Sequence, residues 1–334
     1  MSTSPLASEL DILDLRHFSA RQLRPLLEEE ARLWRERLRW DYDSSIELLL
    51  QYIDSRVLEG YVAQAHGRVC GYAFAVYEGN KAVIGDAFAA GLGAQGDGST
   101  TRSLLVHMLE LLRHTPMVER IESQILLSDA GEFAEVFAGL ECRIYPRLFL
   151  ECDLTPRPQL AGARESAAAG GLPPNLVLAQ WVPQDYQAAG ELIHAAYAGH
   201  MDSEINDQYR TLHGALRFLH NIVRFPGCGV FDPVHSWVLR DRDVRTPVGL
   251  VLASKVGGEV AHITQFCVAP QYRGAGLGSV LLRHSLAMLR GAGFQAITLT
   301  VTEANAPAVR LYERFGFRRR HRFDAMVLDP PGRR

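Results

Sequence analysis

The sequence predicts an α/β chain built from two copies of one unit, and three observations lead there. The first is length: 334 residues at roughly 150 per domain give about two domains. The second is a stretch rich in Pro, Ala and Gly, TPRPQLAGARESAAAGGLPPN, from Thr155 to Asn175, with no apolar periodicity. It reads as a linker and divides the chain into residues 1–153, a connection at 154–175, and residues 176–334. The third is that strands and helices follow one another in the same order on both sides. Landmarks repeat at an offset of 177: Gly316 falls on Gly139, Arg290 on Arg113 and Arg320 on Arg143. With a one-residue adjustment, Gly274 and Gly276 fall on Gly96 and Gly98.

Each element follows from the period of its apolar residues, near 2 for a strand and 3.6 for a helix. The first half reads as a strand at Asp11–Arg16, helical segments from Ala20 to Val57, and strands at Tyr61–Gln64, Cys70–Tyr77 and Ala82–Ala89. A Gly-rich loop, Gly91–Gly98, then precedes a helix at Thr101–His114, a strand at Arg120–Leu126, a helix at Gly131–Ala138 and a strand at Tyr145–Cys152. The second half repeats this. A strand at Leu176–Gln180 leads to helices near Asp185–Tyr197 and Asp207–Val223, then strands at Ser236–Arg240, Val248–Ser254 and Val260–Val268. A Gly-rich loop, Gln271–Gly278, opens a helix to Arg290, followed by a strand at Ala296–Val301, a helix at Ala306–Arg314 and a strand at Phe323–Leu328.

Composition narrows the functional classes. With 47% hydrophobic and 22% charged residues the chain is ordinary for a globular protein, which excludes disordered, collagen-like and coiled-coil classes. Its 35 basic and 38 acidic residues leave a formal charge of −3, so neither nucleic acid nor an anionic membrane is the expected partner. Basic residues are almost all Arg, with Lys only at Lys81 and Lys255. Forked guanidinium groups suit oxyanions, but a bias spread over every segment is explained more simply by genomic base composition. The five cysteines are widely spaced with no C-x-x-C pair, which points away from a disulfide framework or a zinc knuckle. The early acidic residues and the lack of a long apolar run lead us to expect a cytoplasmic protein without a secretory signal.

The chemistry is concentrated in FCVAPQYRGAGLGSVLLRHSLAMLR, Phe266 to Arg290, which reads as strand, Gly-rich turn and amphipathic helix. Glycines at 274, 276 and 278 let several backbone N–H groups converge at a helix start, where unpaired donors and the helix dipole favour an anion. It is not a Walker loop, since no Gly-Lys-Ser/Thr follows, and it breaks the dinucleotide spacing at its third glycine. The second informative stretch is TVTEANAPAVRLYERFGF, Thr300 to Phe317. Together the two resemble the GNAT superfamily of acetyl-CoA-dependent N-acyltransferases. That family's Gln/Arg-x-x-Gly-x-Gly/Ala loop is matched by Gln271, Gly274 and Gly276, and its later positions by Asn305, Tyr312 and Gly316-Phe317.

The resemblance implies two GNAT-like units, each a mixed, mostly antiparallel sheet flanked by helices. It also implies acetyl-CoA as acyl donor, with its pyrophosphate held by the amides of Arg273, Gly274, Ala275, Gly276, Leu277, Gly278 and Ser279, and a side-chain contact from Arg273. The Val260–Val268 strand would splay from its neighbour, and the pantetheine arm would lie in the gap beside Phe266, using free backbone groups at Cys267 and Val268. The Val268 amide would polarise the thioester carbonyl. Tyr312 would protonate the departing thiolate, an acid step worth roughly 10² to 10⁴ in rate. Asn305 would fix the loop or pantetheine, while also suiting an N-cap before Ala306 and Pro307.

The acceptor is expected to be a small-molecule or peptide amine. Similar tandem proteins acetylate a cysteine-derived pseudodisaccharide amine, but no motif here selects it. Glu259, His262 and Glu303 are candidate bases, though each alone reads more simply as an ordinary strand-end charge or a bonded His. Asp202 and Glu204, in the loop GHMDSEIND, are candidates for attracting a cationic amine, against the reading of a merely solvated loop. Cys267 reads as a packed strand residue rather than an acyl carrier, and His194, His200, His213 and His220 lack the context of a metal site, so no metal is expected. In the first half Tyr312 aligns with Glu135 and Asn305 with Ser128, while Asp97 sits between Gly96 and Gly98. A carboxylate there repels a pyrophosphate, so the first half reads as a degenerate copy that does not bind coenzyme A productively. The competing class is an acyl-CoA-binding sensor or scaffold without turnover.

Overall fold

The computed structural model describes residues 10–91, 98–155, 172–225, 227–243 and 246–329. The chain order is β1 (Leu10–Asp14), α1 (Ala20–Leu38), α2 (Asp43–Asp54), β2 (Glu59–Ala65), β3 (Arg68–Glu78), β4 (Lys81–Ala89), α3 (Ser99–His114), β5 (Arg120–Gln124), α4 (Ala134–Phe137) and β6 (Cys142–Asp153). It continues with β7 (Leu176–Gln180), α5 (Tyr186–Tyr197), α6 (Asp202–Ile205), α7 (Leu212–Arg224), β8 (Val230–Phe231), β9 (Trp237–Asp241), β10 (Pro247–Gly257), β11 (Val260–Val268), α8 (Leu277–Gly291), β12 (Ala296–Thr302), α9 (Ala306–Arg314) and β13 (Arg318–Leu328).

The chain forms two compact units: Met1–Leu38, Tyr42–Arg147 and Arg322–Arg334 make the first, and Arg39–Asp41 with Leu148–His321 the second. The final strand therefore contributes most of its length to the first unit, and the end of β6 belongs to the second. The linker residues 156–171 and the first-half loop residues 92–97, with Gly96 and Asp97, lie outside the described residues.

In the first unit the sheet order is β1-β2-β3-β4-β5-β13, antiparallel except for β4 and β5, with β13 pairing Ala325↔Gln124 to Leu328↔Ile121. Helix α3 covers one face through Leu104, Leu105, Met108, Leu109 and Leu112, the i, i+4 spacing of a half-buried helix. Helices α1 and α2 cover the other with Leu23, Leu27, Ile46 and Leu50. The helical segments expected from Ala20 to Val57 are two helices, and the chain turns between them at Arg39, whose φ of 55° is left-handed. Inside this unit Glu30 accepts hydrogen bonds from Tyr72 (2.6 Å) and Trp34 (3.0 Å), and burial beside Asp86 pushes its carboxyl well above the usual range.

The second unit repeats the plan, in the order β6-β12-β11-β10-β9-β7, with β8 on the edge of β10. In it β11 and β12 pair in parallel, as β4 and β5 do in the first. Strand β10 is buried along nearly its whole length because helices cover both faces: α8 with Leu277, Leu281, Leu282 and Leu289 on one, α5 and α7 with Ile193, Leu219 and Ile222 on the other. Thr211 caps α7 by accepting from the Gly214 amide at 2.9 Å.

Candidate active site

The site begins as a defect in the second sheet. β11 pairs with β12 from Val260↔Ala296 to Ile263↔Leu299, and there the parallel register ends. At the same point its pairing with β10 jumps from Ala253↔Ile263 to Leu252↔Gln265, leaving Thr264 as the extra residue of a bulge. A bulge bends and twists its strand, so β11 leaves β12 and a wedge opens beyond Ile263.

Antiparallel alternation decides which backbone groups face the wedge. Ala269 donates to the Val248 carbonyl at 2.8 Å, so Ala269 and Val248 are a hydrogen-bonded pair, and the partnered residues then alternate along β11. Cys267 faces β10 with its backbone groups, while Phe266 and Val268 turn theirs into the wedge. This corrects the expectation for Cys267: its amide and carbonyl are committed to Leu250. Its side chain is buried in the α5–α7 core, and burial pushes the thiol up to about 12, so no thiolate is available.

Beyond β11 a short 3-10 turn, Pro270–Tyr272, leads into the glycine loop. Tyr272 anchors it by donating to Asp241 at 2.8 Å. Gly274 and Gly276 take φ of 79° and 77°, values that cost other residues about 1 kcal/mol or more, and a Cβ at either would meet nothing within 4 Å. Gly276 caps α8 with no side-chain hydrogen bond, so the amides of Leu277 and Gly278 keep the donors of an uncovered helix start, whereas, against expectation, the Ser279 amide donates to the Gly276 carbonyl at 3.0 Å. Gln271, Ala275 and Gly276 are exposed and Gly278 is half-buried against Phe266 and Leu311. Arg273 behaves differently from expectation: its guanidinium donates to the carbonyls of Val268 (3.2 Å) and Ala196, tying the loop to β11 and α5 rather than reaching for a phosphate.

Tyr312, on α9, lies at the wedge. Its ring meets Phe266 edge-on at 6.1 Å, and burial together with the nearby Asp202 and Cys267 holds its phenol well above the usual value. It is therefore a protonated donor. Asn305 caps α9 by accepting from Ala308 (3.4 Å), while its amide nitrogen lies 3.4 Å from His200 Nε2. The N-cap reading of Asn305 is thus seen, and its amide nitrogen is turned to His200.

Asp202 and His200 stand at the centre of a polar cluster. Asp202 accepts from the Thr302 hydroxyl at the end of β12, and its Oδ2 lies 3.7 Å from His200 Nδ1. His200 stands edge-on to Tyr197, whose hydroxyl reaches Gln265 (3.3 Å) and the Phe266 carbonyl (3.5 Å). The sequence around His200 does not reveal its neighbour Asn305, about a hundred residues further along the chain. Glu204 instead pairs with Arg210 at 2.8 Å on the exposed side of its helix.

The two candidate bases on β11 are not brought to the wedge. Glu259 is exposed at the opposite end of the strand, about 30 Å from Val268 at the usual strand rise. His262 is sealed against Trp40 (4.8 Å) and Phe149 (5.9 Å). The Thr298 hydroxyl donates to the Ala261 carbonyl (3.2 Å) and so accepts from His262 Nδ1–H (2.9 Å), and burial lowers the imidazole pKa to about 3. Glu303 remains at the wedge end, next to Thr302. Among the described residues no group of His, Cys, Asp or Glu could hold a metal ion.

The first unit has the same defect. The β4–β5 register ends at Ile84↔Ser123 beside a bulge at Gly85, and Gly98, with φ of 69°, opens α3. The position of Tyr312 is held by exposed Glu135, and that of Asn305 by Ser128, which turns back to the Ile125 carbonyl at 2.7 Å.

Comparison with known proteins gives this geometry a family. Residues 201–317, which hold the wedge, loop and Tyr312, match the model of the acetyltransferase (GNAT) family. Over that segment the chain is similar to GNAT acetyltransferases. It is 35% identical over 114 residues to a mycothiol acetyltransferase of Thermomonospora curvata, covering 29% of this chain and 38% of that protein. It is 48% identical over 103 residues to a streptothricin acetyltransferase of Streptomyces lavendulae, covering 28% and 54%. The chain thus matches about half or less of these GNAT relatives' own length. Among solved structures, a GCN5-related N-acetyltransferase from Sphaerobacter thermophilus superposes with a TM-score of 0.61 at 18% identity over 99% of this chain and 98% of that one. A tandem GNAT protein from the clavulanic acid biosynthesis pathway gives 0.56 at 15% identity over 98% and 100%. At such identities the likeness is one of fold, and it runs over the whole chain.

Proposed function

We propose that the second unit transfers an acetyl or other short acyl group from acetyl-CoA to an amine by direct attack in a ternary complex. The observation that carries this is the convergence at one wedge of outward-facing backbone at Phe266 and Val268, an uncovered helix start at Gly276, and a buried, protonated Tyr312. The pantetheine arm would lie along β11 as a further strand, with the pyrophosphate at the start of α8. The Val268 N–H would bind the thioester oxygen as it gains charge. The amine nitrogen forms a bond to the carbonyl carbon, the carbon–sulfur bond breaks, and the thiolate takes its proton from Tyr312. The amine's own proton leaves toward the His200–Asp202 pair or Glu303, the polar groups at that end of the wedge.

The acceptor class rests on the relatives: the mycothiol and streptothricin acetyltransferases are named for small molecules, which supports a small-molecule amine. Incubation with acetyl-CoA and a panel of amino sugars, amino-acid conjugates, antibiotics, polyamines and peptides tests it, with release of coenzyme A thiol as signal and mass spectrometry of the product. Acceptor-dependent thiol release is expected. Binding of acetyl-CoA with no release across the panel would favour the sensor reading instead. Among the described residues no helix is long and apolar enough to cross a membrane.

A further inference from the structure

The second unit contains a cavity that acyl transfer does not use. It has a volume of about 640 Å³ and is lined by the end of β6, the last turn of α8 and the segment joining α9 to β13. Four arginines line it, Arg290, Arg318, Arg319 and Arg320, against the carboxylates of Glu151 and Asp153. The lining carries a surplus of two positive charges in a chain whose formal charge is −3.

The carboxylates are already occupied. Glu151 is held by Arg320 and by Arg39, each at 3.1 Å, and Asp153 accepts from the amide (2.9 Å) and hydroxyl (2.6 Å) of Thr155. Arg290 uses its Nε on the Leu154 carbonyl at 3.3 Å. Arg318 and Arg319 are exposed at the start of β13. Like charges gathered around one concavity repel unless an anion sits among them, and planar guanidinium forks match phosphate oxygens two at a time.

We propose that this cavity binds a small phosphate-bearing anion of charge −2 or more, at a site separate from the coenzyme loop. The separation is geometric: Leu277 and Arg290 stand at opposite ends of α8, about 20 Å apart along the axis. The physics differs as well. The glycine loop lies at the positive end of the helix dipole, whereas the cavity adjoins its negative end, so the attraction there comes from side chains alone. The size suits a ligand of ordinary metabolite dimensions. The site also gives a local use to the arginine bias of the sequence.

Calorimetric titration of inorganic pyrophosphate into the full chain at low salt, with citrate as a carboxylate comparison, tests this. Saturable pyrophosphate binding is expected, weakened at least tenfold by the double substitution Arg318→Ala/Arg319→Ala and less by Arg318→Lys/Arg319→Lys, with acetyl-CoA affinity unchanged within twofold. Both positions are exposed, and an unchanged unfolding midpoint verifies that the variants fold. No saturable binding, or binding untouched by the double alanine substitution, as pyrophosphate held at the distant loop would give, overturns the proposal. Tighter binding of citrate than of pyrophosphate overturns its phosphate class.

Discussion

At the scale of single residues, Tyr312 and His262 show how burial assigns opposite roles. Both are buried, and in both burial favours the neutral form. For a phenol the neutral form is the proton donor that thiolate departure needs. Tyr312→Phe is therefore expected to lower the rate of acyl transfer by roughly 10² to 10⁴ while leaving acetyl-CoA affinity nearly unchanged, read by thiol release beside calorimetry. An unchanged rate across pH would remove the acid role. For His262 the neutral form is enclosed by Trp40 and Phe149 and does no proton transfer. Its folded pKa of about 3 lies below the ordinary value of 6.5, so between those limits the unfolded chain binds a proton that the folded chain does not. Stability from this group is complete above pH 6.5 and falls with acidification by roughly 1 kcal/mol per pH unit. Urea unfolding from pH 7 to 4 is expected to show that slope, and His262→Leu to flatten it without moving the pH profile of transfer. Tyr312 was legible in the sequence because it stands in an ordered motif. The position of His262 was not, because a place on a strand tells neither which end meets the site nor what covers the face.

At the scale of elements, the candidate site lies where pairing stops. The strand Val260–Val268 was legible from its apolar alternation, and so was the glycine turn after it. The bulge at Thr264 was not, since nothing in ITQFC marks an extra residue, and the bulge decides that Phe266 and Val268, not Cys267, face the wedge. The glycine loop makes a separate prediction. At a φ of 77°, Gly276→Ala costs about 1 kcal/mol in strain although its Cβ meets open space. Displaced amides should then weaken acetyl-CoA binding at least several-fold in calorimetry, whereas a wild-type affinity would mean that the loop does not hold the coenzyme. Asn305→Ala removes the cap of α9, an expected loss of about 1 kcal/mol in thermal unfolding, and also removes the amide beside His200.

At the scale of the molecule, duplication was visible as a repeated order of elements, and each unit has a parallel pair with a bulge beside it. The assignment of the end strands was not visible. The strands near Tyr145–Cys152 and Phe323–Leu328 could be read from alternation, but alternation gives a strand's faces and not its neighbours. The first unit takes Arg322–Leu328 into its sheet, and the second takes Leu148–Asp153. What distinguishes the units is the equipment at the wedge: Tyr312 and Asn305 in one, Glu135 and Ser128 in the other. The most direct test is the stoichiometry of acetyl-CoA binding to the full chain by calorimetry. The expected result is one site per chain, weakened by Gly276→Ala. Saturation at two sites, or no binding at all, would contradict the account.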